Sequence, residues 1–165
     1  MKILFLDLDG VICTTSCYGR GTDNKWGTYR FDTKCVSTLN FILLETGCEI
    51  ILSSDWRFHY TLSEIREIFE HNGVIKAPIG FTPRSKTYTG NNLENGRSDE
   101  IKMWLEHNAW KDDIKWVAVD DLNMSETFDI NGNVTGGVKN FVHCKKENEG
   151  IKQSGIKDKI LNFLK

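Results

Sequence analysis

The chain has 165 residues, 39% of them apolar and 27% charged, with a formal net charge of -2 and a sequence pI near 6.1. That length favours one domain and is enough for a real core, and the near-balanced charge argues against a protein wrapped in nucleic acid, although a local basic patch stays open. No run approaches the roughly 18 apolar residues that span a bilayer, and Lys2 is followed by only four apolar residues before Asp7, so a soluble cytoplasmic protein without a signal peptide is expected.

In chain order, KILFL reads as a short strand apolar on both faces, as in the centre of a parallel sheet. Residues 12–31 are polar, contain glycine and carry Tyr18, Trp26, Tyr29 and Phe31, which predicts a long loop or small hairpin. Asp32 or Thr33 caps a helix whose inner face holds Val36, Leu39, Ile42 and Leu43 and which Gly47 ends. CEIIL predicts a second buried strand. A second helix is expected over Tyr60–His71. Residues 74–97 read as a long irregular segment with at most a short strand. Ser98 is the expected cap of a helix through Asn108, with Glu100 and Glu106 on its wet side. DIKWVAVDD predicts a third buried strand ending at Asp120, NFVHC a fourth, and Gly155–Leu164 an amphipathic helix. The five cysteines, Cys13, Cys17, Cys35, Cys48 and Cys144, are odd in number and form no CxxC pair. They are expected as reduced thiols, with Cys35 and Cys48 in the core. The succession of strands and helices predicts a single α/β domain over residues 1–165, three-layered and Rossmann-like, with a mostly parallel sheet, loop insertions at about 12–31 and 72–97, and a minimal cap or none.

Three of the buried runs end in polar chemistry. KILFL leads into Asp7 and Asp9, EIIL into Ser53 and Ser54, and WVAV into Asp120 and Asp121. Ligands of open α/β sheets bind beyond the carboxyl ends of the strands. If these strands are parallel neighbours, up to four carboxylates meet there and repel one another, which a hard cation such as Mg²⁺ would relieve. Gly10, directly after Asp9, lets the chain turn sharply with its backbone close to a ligand.

On FLDLDGV, IILSSDWR, GRSDEIKMWL and VAVDD, in that order, the chain resembles the haloacid dehalogenase-like superfamily, mostly Mg²⁺-dependent phosphatases on a Rossmann-like fold. The likeness runs from residue 3 to about 143. It implies that Asp7 is the nucleophile that becomes an aspartyl-phosphate. Asp9 is then the general acid and base, with its backbone carbonyl in the metal shell. Ser53 is the implied phosphate-binding hydroxyl, with Ser54 in reserve. Arg97 is the implied basic residue, with Lys102 as its rival and Lys76 and Lys86 as further candidates. Asp120 and Asp121 complete the metal ligands. The implied function is a Mg²⁺-dependent phosphomonoesterase acting on a small phosphorylated metabolite, a nucleotide or a polynucleotide end. The alternatives are a binding module that has lost turnover and another reaction on the same scaffold.

Trp56 and Arg57 lie just past the serines. They either stack on a base and pair with a phosphate or close the sheet edge, with Arg57 on an aspartate. Tyr18, Trp26 and Tyr29 either line the mouth of the site or pin their loop.

Overall fold

A computed structural model describes residues 1–17, 31–85, 93–108 and 113–165. Trp26, Tyr18, Tyr29 and Lys86 lie outside the described residues. The core is a sheet of β1 (Lys2–Leu6), β2 (Glu49–Leu52), β3 (Gly80–Phe81), β4 (Lys115–Asp120) and a last edge strand, Phe141–His143, in the order β3-β2-β1-β4-edge. Every pairing in it is parallel. Helices α1 (Thr33–Thr46), α2 (Leu62–His71) and α3 (Leu93–His107) connect the first four of these strands, and α4 (Ile156–Leu164) follows the last one.

The strand residues alternate between two apolar layers, because side chains of a strand point to opposite faces in turn. Leu4 and Leu6, with Ile50, Leu52, Val117 and Val119, join the larger cluster, which α1, α2 and α4 cover. Ile3 and Phe5, with Ile51 and Ala118, face the smaller cluster, which takes Ile101, Trp104 and Leu105 from α3. A strand covered on both sides needs the unbroken apolar runs seen in the sequence. Cys35 and Cys48 are in the larger cluster, and all five cysteines are free thiols.

Helix ends follow local chemistry. Asp32 caps α1, accepting from the Lys34 and Cys35 amides at 2.9 and 3.1 Å, and Gly47 closes that helix in the left-handed region at φ 66°. Thr61 and Glu64 form a reciprocal capping box at the start of α2, so that helix begins slightly later than its apolar pattern predicts.

Two differences from the sequence reading matter. Helix α3 begins at Leu93, so Ser98 is a buried residue within it, and Glu100 is fully buried rather than on a wet side. The segment between β4 and the last edge strand also holds an antiparallel pair, β5 (Thr127–Phe128) and β6 (Val134–Gly136). Its signal was the Asn131-Gly132 dipeptide, a strong hairpin turn, but two- and three-residue strands show no readable alternation. Among the described residues no helix is long and apolar enough to cross a membrane.

Asp32 does more than cap. It also accepts from the Thr14 hydroxyl at 3.0 Å and pairs with Lys152, tying the loop after β1 to α1 and to the approach of α4. Asp32→Ala should lower unfolding stability by about 2 kcal/mol. Urea titration checks this, and Asp32→Asn, which keeps the cap but loses the ion pair, should fall in between.

Candidate active site

Register brings the chemistry together. Leu6 pairs with both Leu52 and Val119, so the next residues, Asp7, Ser53 and Asp120, emerge side by side at the carboxyl edge. Strand order reverses at β1, and crevices of this kind form at such a point. The alternation that sends Phe5, Ile51 and Ala118 toward α3 sends Asp7, Ser53 and Asp120 the same way.

After Asp7 the chain folds back at once. The Leu8 carbonyl accepts from the amides of Val11, Ile12 and Cys13 at 3.2, 2.8 and 2.8 Å. Gly10 makes this possible at φ 71°, and a Cβ there would come within 2.6 Å of Asp121 Oδ2. Glycine is thus required both by the backbone and by the carboxylate lying against it.

Arg97 enters from α3. Its Nη1 is 2.9 Å from Asp7 Oδ1 and 3.0 Å from Asp120 Oδ2, and its Nη2 is 2.9 Å from Asp55 Oδ1. Asp7, Asp120 and Asp121 can each offer an oxygen with all three atoms within 4.8 Å of one another. Asp120 Oδ1 also accepts from the Leu122 amide at 2.9 Å. Burial, then Asp120, pushes the Asp7 carboxyl well above its ordinary value, against the pull of Arg97 and a hydrogen bond from Ser54. Burial also raises Asp9, with the Trp56 hydrogen bond opposing, and raises Asp120 to about 7 although Arg97 pulls it down. Burial works against the charge of Arg97, but Asp7, Asp120 and Asp55 more than offset it and keep the guanidinium firmly protonated.

A cavity of about 190 Å³ opens over this group, with Asp7, Asp9, Ser54, Asp55, Arg97 and Asp121 in its wall. Of the paired serines, Ser54 faces it. Ser53, the first choice from sequence, is as buried as Ser54 but is not in that wall, and its hydroxyl lacks a hydrogen-bond partner among the described residues. Lys102 is not brought to the site. It sits 3.7 Å from Asp99 on the exposed side of α3, because five residues at 100° each place it about 140° around the helix from Arg97. Lys76 pairs with Glu49 at 2.6 Å, at the amino end of β2 and so at the opposite edge of the sheet.

Trp56 and Arg57 are committed to the protein. The Trp56 indole Nε1 donates to Asp9 Oδ2 at 2.9 Å while its ring packs on Tyr60 and Phe31. Trp56 therefore orients the Asp9 carboxyl. Arg57 is buried against Glu100 and donates to the Ser54 carbonyl at 2.8 Å. Glu100 in turn accepts from the Ser85 amide at 3.0 Å. The partner of Arg57 is thus not the aspartate expected but a glutamate one turn beyond Arg97. Sequence reasoning missed Asp55, which the SSD run held in plain view, and Glu100, expected on the wet side of its helix but fully buried. It also missed His143, whose Nε2 donates to the Asp121 carbonyl at 2.8 Å and steadies that backbone from the neighbouring strand.

Hard carboxylate oxygens in this number, crowded and raised, fit a divalent cation such as Mg²⁺. In chelator the same crowding sets a pH dependence. Between an unfolded carboxyl value of about 4 and the folded Asp120 value of about 7, the native chain holds protons that the unfolded chain has released. Stability therefore falls as pH rises through that window. Urea midpoints in chelator should be higher at pH 5 than at pH 8, and Asp7→Asn should flatten the slope and stabilise the protein at pH 8. A D7N protein less stable at pH 8 would mean that the Arg97–Asp7 attraction outweighs the repulsion.

A family model described as the HAD domain in Swiss Army Knife RNA repair proteins matches residues 3–153 of the chain. No curated protein and no solved structure matches it.

Proposed function

Because the chain belongs to this family of haloacid dehalogenase-like domains, we propose that it is a Mg²⁺-dependent phosphomonoesterase that works through an aspartyl-phosphate and takes its phosphoryl group from a polynucleotide end. The observation that carries this reading is the convergence of Asp7, Asp9 and Arg97 on one small cavity. The family's description as RNA repair supports the polynucleotide substrate over a small metabolite. So does the size of the cavity, which suits a phosphoryl group while the rest of the substrate stays outside.

Asp7, Asp120 and Asp121, with the Asp9 carbonyl, would hold the cation. When bound it supplies positive charge that offsets the carboxylates and polarises the phosphoryl oxygens. The remaining steps belong to the chain's own residues. Arg97 binds the non-bridging oxygens as a planar cation, and the Ser54 hydroxyl adds a donor at the cavity wall. Asp7 attacks phosphorus in line with the leaving oxygen, forming the P–O bond of the aspartyl-phosphate as the ester P–O bond breaks. Asp9, held by Trp56, gives its proton to that leaving oxygen. It then takes a proton from water, whose oxygen attacks the same phosphorus and frees the Asp7 carboxylate and phosphate.

Asp9 must be protonated for the first step and ionised for the second, so a carboxyl raised by burial suits both roles. Trp56→Phe should lower kcat by roughly tenfold to a hundredfold with little change in KM, because it removes the donor that aims Asp9 but keeps most of the packing. Ser54→Ala should impair kcat/KM, whereas Ser53→Ala should leave it intact, because only the former faces the cavity.

The decisive test is phosphate release with Mg²⁺ from aryl phosphate, sugar phosphates, nucleotides and 3′- or 5′-phosphorylated oligonucleotides. A phosphorylated oligonucleotide should be the best substrate, and Asp7→Asn should reduce release by at least roughly a thousandfold. Release that survives in D7N would remove Asp7 as nucleophile. Absence of release from every substrate by folded, metal-loaded protein would make the chain a binding module.

A further inference from the structure

One acid of the cluster lies beyond the sheet. Asp7 and Asp120 are buried, whereas Asp121 is half-buried, one residue past the end of β4 and in the cavity wall. It faces like charge there. Asp7 and Asp9 are raised first by burial, and the charge of Asp121 raises both further. Crowded carboxylates repel one another, so an unrestrained Asp121 would relax outward. Two bonds oppose this. The Leu122 amide donates to Asp120 Oδ1 at 2.9 Å, and His143 Nε2 donates to the Asp121 carbonyl at 2.8 Å. A carbonyl only accepts, so Nε2 carries the proton.

The imidazole is itself fixed. His143 ends the edge strand Phe141–His143 and pairs in register with Asp120, and the Cys144 amide donates to the Asp120 carbonyl at 2.8 Å. Phe141, two residues back, points to the same face of the strand. Its ring stacks on the imidazole, with centroids 5.7 Å apart and 30° between the planes. The Asp121 carboxylate meanwhile rests against Gly10, where a Cβ would come within 2.6 Å of Oδ2. The main chain of Asp121 is thus tied to the edge strand and its carboxylate to the loop after β1.

We infer that His143 is a positioning residue for the cation: its bond to the Asp121 main chain keeps that carboxylate beside Asp7 and Asp120 before the ion arrives. The inference rests on the reading above in which Asp121 is a metal ligand, and adds what holds it in place. A site ordered in advance loses less free energy on binding, and a partner that orients a metal ligand is worth about tenfold to a hundredfold in metal affinity. His143 is not in the cavity wall, and its bond goes to a main-chain oxygen rather than to a reacting group. Its effect therefore falls on cation affinity and not on the chemical step.

The test is Mg²⁺ binding by the full chain, read by calorimetric titration and by the Mg²⁺-dependent rise of the thermal midpoint. His143→Phe keeps an aromatic ring on Phe141 but loses the donor, and should bind Mg²⁺ about tenfold to a hundredfold more weakly. His143→Gln, whose amide nitrogen reaches the place of Nε2, should recover most of that affinity. His143→Asn, one methylene shorter, should not. In aryl-phosphate release the Mg²⁺ concentration for half the maximal rate should rise by the same factor in H143F, with the rate at saturating Mg²⁺ nearly unchanged. A merely structural role would lower stability in all three variants without ranking Gln above Phe and Asn in Mg²⁺ affinity. Unchanged affinity in H143F overturns the inference, as does an H143Q protein as weak as H143F. If H143F does not fold, H143Q against H143N decides in the same way. Asp121→Asn, titrated in parallel, separates this failure from that of the metal site. Weak binding by D121N with normal binding by H143F leaves the site standing and removes the positioning role. Normal binding by D121N removes Asp121 as a ligand and the inference with it, and an unsubstituted chain that binds no Mg²⁺ overturns both.

Discussion

Charge crowding at the carboxyl ends of β1 and β4 is the constraint that organises the molecule. Asp7 and Asp120 are nearly inaccessible to water, and ionised carboxylates cannot be buried together unless something of opposite sign is among them. Among the described residues Arg97 is the cation inside that cluster. Other features follow from bringing it there. Helix α3 must pass over the sheet with its second turn against the strand ends. Asp55 must close the outer side of the guanidinium. Gly10 must lack a side chain so that Asp121 can lie against the first loop. The site is therefore a consequence of how a parallel sheet ends, with one helix supplying the countercharge.

The second ion pair makes sense in that setting. Arg57 and Glu100 are both buried, an arrangement that often contributes little to stability compared with apolar groups of the same shape. Its value here is positional. Glu100 lies on the same helix as Arg97, and Arg57 holds the Ser54 carbonyl. The pair thereby fixes the distance between the helix that brings the cation and the turn that brings the hydroxyl. Trp56, between them in sequence, fixes Asp9. One short turn after β2 thus sets the position of a hydroxyl, an acid and a helix at once, which accounts for its dense side-chain bonding.

Much of this was legible in the sequence, and the reasons differ by element. The buried strands were readable because a doubly covered strand leaves an unbroken apolar run, and Asp32 and Gly47 announced both ends of α1. The closeness of Asp7, Asp9, Arg97 and Asp121 around one cavity was readable in outline because the acids lie at or just past the ends of apolar runs. The choice between Ser53 and Ser54 was not readable. It depends on which face of β2 lies under α3, and an apolar run on both faces hides that alternation. Arg57 and Trp56 were ambiguous for a related reason. Sequence shows a side chain that can stack or pair but not whether an acid on a distant helix has already claimed it. The start of α3 was misplaced because Ser98 is a good cap by composition, and tertiary packing of the preceding turn overrode it.

The two faces of the sheet divide the work unequally, and this bears on how the site is held. The larger apolar cluster binds α1, α2 and α4 to the strands and carries none of the acidic groups. The smaller one holds α3, chiefly through Ile101, Trp104 and Leu105, and α3 carries Arg97. A helix that rests on a thin apolar layer is held in part by its polar contacts, here Arg97 to Asp7 and Asp120 and Glu100 to Arg57 and Ser85. The carboxylates that need the cation are therefore also what keep its helix docked. If phosphate oxygens replace those carboxylates as partners of Arg97, the Glu100 clamp still ties α3 to the turn after β2. Separating the clamp from the cation in the cavity lets Arg97 exchange partners without releasing the helix.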